Sequence, residues 1–151
     1  MAEKMTAAKA NEIMEEGYHC SQVILFHAAE RLGLDRSLAL RLSSGFGGGT
    51  FHGDTCGAVA GAIMCLNMAY GFDTPDSEVD AKLAATIREL HDRFIAKHGS
   101  NQCRCLLGGW DVGIPAHREV IPTRTGVYDN CGDYCATACE LLDEMLERIG
   151  K

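Results

Sequence analysis

The chain has 151 residues, of which 46% are hydrophobic, 23% charged and 7% aromatic, with a formal net charge of −7. That length suits one domain, 1–151, with enough chain to bury a core without disulfides. Its acidic balance and lack of any basic run argue against a nucleic-acid partner, and its apolar run 57–70 is shorter than the ~20 residues of a membrane span.

The opening MAEKMTAAKA has no apolar stretch of a secretory signal, so a cytoplasmic location is expected. The helical period then recurs along the chain. Lys4 to Glu16 reads as a first amphipathic helix, with Met5, Ala8, Ile13 and Met14 as its stripe and Gly17 as its stop. A second helix runs from His19 to Leu32 and ends at Gly33, and Asp35 caps a short third one through Leu42. The segment from Gly45 to Thr55 is a glycine-rich loop holding Gly47, Gly48, Gly49 and His52.

A fourth helix, Cys56 to Ala69, is apolar on nearly every face and so belongs at the centre. Thr74-Pro75-Asp76 marks a fifth start, with Pro75 as first helical residue, and this long charged surface helix ends at Gly99. Cys103 to Leu107 forms one turn. From Gly108 to Asn130 an irregular loop is expected, and a last helix follows from Cys131 to Ile149. The fold class is therefore all-α, a bundle of about five to six helices with no strand pair.

Eight cysteines stand out in this frame. Cys20, Cys56, Cys103 and Cys131 each open a helix. A helix N-terminus carries partial positive charge and free N–H groups, which favour the thiolate, the form that attacks and ligates. The three glycines 47–49 can build a nest of backbone N–H groups for an anion or a sulfur. They lack the Gly-Lys-Ser/Thr ending of a phosphate loop. Cys131, Cys135 and Cys139 recur every four residues on one face of the last helix, alongside Leu142 and Leu146. Cys135 and Cys139 therefore read as core, as does Cys65 in the apolar fourth helix. His52 is the one histidine held open as a base or ligand. His27, His91, His98 and His117 read as surface or packing residues. No C-x-x-C pair, catalytic triad or HExxH is present.

Taken together, these residues resemble the C_GCAxxG_C_C family of redox-active proteins. Cys20 follows Gly17-Tyr18-His19, and the motif itself reads Cys56-Gly57-Ala58-Val59-Ala60-Gly61. Cys103 lies in Gly99-Ser100-Asn101-Gln102-Cys103-Arg104-Cys105, and Cys131 opens the last helix. The resemblance implies redox activity. Through the related cysteine domain of the dimeric split-Soret cytochromes c, it implies an iron–sulfur centre. Covalent haem is not expected, because Cys-x-x-Cys-His is absent. Cys65, Cys105, Cys135 and Cys139 are additional to the signature, and either Cys103 or Cys105 can serve as its third cysteine.

Three readings follow. In the first, Cys20, Cys56, Cys103 and Cys131 hold an iron–sulfur cluster, most simply [2Fe–2S], for electron transfer with an unidentified redox partner protein, while Gly47, Gly48 and Gly49 donate N–H groups to sulfur. In the second, the protein is a metal-free dithiol–disulfide oxidoreductase or redox sensor in which Cys56 attacks. In the third, it binds zinc or another soft metal ion. The sequence leaves open whether the protein is an enzyme. The 108–130 loop carries Trp110, Val112, Ile114, Val120, Ile121, Val127 and Tyr128, and this apolar content predicts a homodimer in which the loop joins the interface or covers the cysteine site.

Overall fold

The computed structural model describes residues 3–151. Among these there are eight α-helices and no named strand: α1 (Ala7–Glu15), α2 (Cys20–Ala28), α3 (Arg36–Ser43), α4 (Gly57–Tyr70), α5 (Ser77–His98), α6 (Cys103–Leu106), α7 (Pro115–Val120) and α8 (Cys131–Arg148). The all-α class expected from the helical period holds. The helix count exceeds five to six because α6 and α7 are short.

Local chemistry sets most of the boundaries. Thr6 accepts the Lys9 amide at 3.1 Å, so α1 begins after it rather than at Lys4. Asp35 caps α3 by accepting the Leu38 amide at 2.8 Å, as its side chain predicts. Pro75 is not the first residue of α5. Asp76 takes the cap instead, accepting the Glu78 and Val79 amides at 3.1 and 3.2 Å, and Pro75 falls before it. Gly99 closes α5 with φ of +85°, a left-handed cap that glycine adopts without a side-chain clash. The 108–130 segment is more ordered than expected. Pro115 sits at the start of α7, the position where its missing N–H costs no hydrogen bond, and a 3₁₀ turn at Ile121–Thr123 continues it.

The core lies where α4 packs against α2, α5 and α8, with α1 closing over α8. Ile24, Leu66, Leu90, Phe94, Leu142 and Met145 are fully buried there. Cys65, Cys135 and Cys139 are also buried in it, as small apolar side chains at those positions should be. α5 buries only Leu90 and Phe94 and shows its charged faces to solvent. On the α2–α8 seam, His27 Nε2 stands 2.9 Å from both Asp143 carboxylate oxygens, and Arg31 donates to the same group at 3.1 Å.

Two glycines bring α2 and α4 together. A Cβ at position 61 would stand 2.7 Å from the Ser21 carbonyl oxygen and 2.9 Å from Ile24 Cβ. A Cβ at position 57 would overlap the Cys20 sulfur and stand 2.7 Å from the Phe46 carbonyl oxygen. Gly57 and Gly61 are four residues apart, so both face α2 and make a groove for its backbone. Gly61→Ala pushes backbone against backbone, where little can yield. It is expected to lower the unfolding free energy by about 1–3 kcal/mol, the usual cost of overpacking, as read by urea denaturation. An unchanged midpoint would show that the groove is looser than this packing implies.

Candidate functional site

One cavity of about 480 Å³ has Cys20, Cys56, Cys103 and Cys131 in its wall. The four thiols come from the starts of four different helices. Cys20 is the first residue of α2, held there by a turn in which the His19 amide donates to Gln22 Oε1 at 2.9 Å. Cys56 caps α4 through its backbone, and its N–H donates to the Asn101 carbonyl at 2.8 Å. The Cys103 N–H in turn donates to the Asp54 carbonyl at 2.6 Å. These two bonds flank an antiparallel bridge between Thr55 and Gln102, which fixes Cys56 and Cys103 side by side. Cys131 opens α8, where Gly132 leaves room for α1: a Cβ there would stand 2.6 Å from the Ala7 carbonyl oxygen.

The other candidates lie elsewhere. Cys105 is exposed and outside the cavity wall, whereas Cys103 is half-buried within it. His52 is exposed, 3.7 Å from Asp54 Oδ2, and does not reach the thiols. Of the three glycines, only Gly48 lines the cavity, and its backbone amide helps to lower the Cys20 thiol. Gly47 and Gly49 serve by lacking a side chain: a Cβ at 47 would stand 2.5 Å from the His19 ring, and one at 49 would overlap the Asp54 backbone.

The loop does something the sequence did not show. Gly48, Gly49, Thr50 and Phe51 have φ of +59°, +61°, +59° and +56°, a full left-handed turn closed by the Asp54 N–H donating to the Gly49 carbonyl at 3.1 Å. Left-handed backbone costs roughly 1–2 kcal/mol for each residue with a Cβ, here Thr50 and Phe51. The turn carries Phe51 to the cavity wall, where its ring meets that of His19 edge-on at 5.1 Å. Tyr18, Tyr128 and Tyr134 complete an aromatic wall, and the Tyr134 hydroxyl donates to the Leu106 carbonyl at 3.1 Å. No periodicity marked these residues in the sequence. Leu107, Val112 and Tyr128 also line the cavity, so the segment before α8 covers the cysteine site.

The thiols are not alike electrostatically. The Cys56 thiol donates a hydrogen bond to the Cys20 sulfur, and with the Gly48 and Ser21 amides it brings Cys20 down to about 7 against the opposing effect of burial. The same bond, together with burial, holds Cys56 well above the ordinary thiol range. Burial also pushes Cys103 and Cys131 up to about 12. A helix start was expected to acidify all four. It does not, because desolvation of a thiolate in an apolar wall outweighs the partial charge of a helix end. Among the described residues no three His, Cys, Asp or Glu side chains are grouped as ligands of a single metal ion. Four thiols around a shared space, with no carboxylate in the wall and an amide aimed at one sulfur, are a donor set that fits a polynuclear iron–sulfur group.

A family model described as "Putative redox-active protein (C_GCAxxG_C_C)" matches residues 18–145, and the chain belongs to that family. Family membership and the eight cysteines support a redox role. No curated protein and no solved structure matches the chain.

The electrostatic ranking has a direct readout. A thiol reacts with iodoacetamide as its thiolate, which forms as pH rises through the thiol's own value. In metal-free, reduced protein, alkylation of Cys20 should therefore reach half its maximal rate near pH 7. Cys103 and Cys131, held up to about 12, should stay slow through pH 9. Peptide mapping that found Cys103 labelled before Cys20 would contradict this order.

Proposed function

We propose that the protein is an electron-transfer protein whose Cys20, Cys56, Cys103 and Cys131 hold an iron–sulfur cluster, most simply [2Fe–2S]. The observation that carries this reading is the convergence of four thiols from four helix starts on one cavity. When bound, such a cluster supplies reversible one-electron transfer with thiolate ligation. The protein's part is to bring the sulfurs together and to keep their surroundings dry. The Gly48 amide at Cys20 also favours negative charge on sulfur, which in a cluster site tunes the potential. High thiol values at Cys103 and Cys131 accord with this role, since a coordinating metal removes the proton that burial otherwise retains.

The Cys56–Cys20 hydrogen bond favours a second reading, a metal-free dithiol. There Cys20, the more acidic thiol, attacks a substrate disulfide and expels one thiolate. Cys56 then displaces the second sulfur and leaves a Cys20–Cys56 disulfide, so the substrate gains the two electrons the dithiol loses. The lower Cys20 value supports giving the attacking role to Cys20, where the sequence reading gave it to Cys56.

Protein purified without oxygen should be coloured and contain iron and acid-labile sulfide. Cys56→Ser should lose both, whereas Cys139→Ser should retain them and lose about 1–3 kcal/mol of stability, because a buried hydroxyl there has no assured partner. Colourless, metal-free protein that forms a Cys20–Cys56 disulfide on oxidation would instead establish the dithiol reading. Stoichiometric zinc would overturn both.

A homodimer also belongs to this proposal. Ile114 and Tyr128, on the segment that covers the site, are 42% and 52% exposed. Light scattering at micromolar concentration should give twice the chain mass, and Tyr128→Glu should reduce it to one.

A further inference from the structure

The cavity is larger and more apolar than four thiols require. Its volume of about 480 Å³ lies within the roughly 300–1,000 Å³ of small-molecule pockets. Met14, Tyr18, Phe51, Leu106, Val112 and Tyr128 supply much of its wall beyond the sulfurs. No Lys, Arg, Asp or Glu lines it, although such residues make up 23% of the chain. Charged groups nearby are already engaged: Arg104 pairs with Asp54 at 3.3 Å, and Asp111 accepts the Gly113 amide at 2.7 Å. A phosphate or carboxylate entering this space would lose its hydration and meet no Lys or Arg in the wall, only the His19 ring beside the thiols. An aromatic molecule would lose only apolar contact with water and gain ring contacts with Tyr18, Phe51 and Tyr128.

We propose that this cavity binds a neutral small molecule of one or two aromatic rings. This binding does not depend on the redox reading above. The wall disfavours nucleotide cofactors and glutathione-like charged thiols as occupants. Val112 is the residue best placed to test the space from the loop side, since its Cγ2 packs over Gly48 beside Cys20. Phe51 tests it from the glycine turn.

The experiment titrates wild-type protein and Cys56→Ser with 2-naphthol and with naphthalene-2-sulfonate, followed by calorimetry. Saturable binding of one 2-naphthol per chain is expected for both proteins, at least ten-fold tighter than the sulfonate. Val112→Phe, which fills the cavity, should weaken 2-naphthol at least ten-fold. Phe51→Ala, a truncation at a half-exposed position outside the core, should weaken it about five-fold and stands as the second test if Val112→Phe does not fold. Equal affinity for the sulfonate, unsaturable binding, or 2-naphthol affinity unmoved by Phe51→Ala would overturn the proposal. Protein that carries iron and sulfide but binds no 2-naphthol overturns this inference alone. Protein that binds 2-naphthol yet shows neither metal nor a redox-active disulfide overturns the redox reading and leaves the pocket standing.

Discussion

The site depends on how closely α2 can lie on α4. Packed helices sit about 8–10 Å apart, a distance set by the side chains at their contact. Gly57 and Gly61 narrow it by removing the side chains that α2 would strike. At position 57 the freed volume is filled by the Cys20 sulfur itself. The glycine after Cys56 therefore does for Cys20 what no polar residue could: it leaves a hole of sulfur size beside the Cys56 thiol. The second glycine, one turn later, keeps the helices close along their length, so that the contact at the cysteines is not a strained end of a diverging pair. The CGAxxG motif is thus a packing motif whose product is a pair of neighbouring thiols.

From that pair the other two thiols are positioned by different means. Cys103 is tied to Cys56 by backbone hydrogen bonds, which fix it independently of any side chain on its own short helix. Cys131 is placed by α8, whose buried stripe from Tyr134 to Leu146 locks it into the core. A four-residue helix such as α6 has little stability of its own, so the bridge matters more there than helix propensity does. The outcome is a thiol set anchored partly by the core and partly by loop backbone. Apolar walls then raise the cost of charge on any sulfur that lacks a donor, and only Cys20 has several.

Much of this was legible in the sequence. The helical period, the caps at Asp35 and Gly99, and the special cysteines at helix starts all follow from local rules that act over a few residues. Cys65, Cys135 and Cys139 could be assigned to the core because their neighbours at helical spacing are apolar. What escaped was set by contacts distant in the chain. The Thr55–Gln102 bridge joins segments nearly fifty residues apart and involves backbone alone, so no side-chain pattern announces it. That bridge is also what sets Cys103, rather than Cys105, beside Cys56. The expected acidity of all four thiols failed for a related reason: helix position is local and readable, whereas burial is a property of the assembled wall. Pro115 did carry a helix-start signal, but it sat among enough Gly and Pro to read as loop.

The left-handed turn at 48–51 shows why a glycine-rich segment stops being glycine where it does. Gly48 and Gly49 adopt positive φ at little cost, and their neighbours would not tolerate a side chain: Val112 stands 2.8 Å from the place of a Cβ at 48, and the Asp54 backbone occupies that place at 49. Thr50 and Phe51 hold the same backbone conformation with side chains attached, at a combined cost of roughly 2–4 kcal/mol on a fold whose total stability is of order 5–15 kcal/mol. Glycine at both positions would have removed that cost. It would also have removed the Thr50 hydroxyl, which donates to the Gly49 carbonyl at 2.6 Å, and the ring of Phe51 in the cavity wall. Phe51 is half-exposed and belongs to no core cluster, and its ring packs on that of His19. Such strain, kept in a half-exposed aromatic beside four thiols where glycine would relieve it, supports the binding role proposed for the cavity.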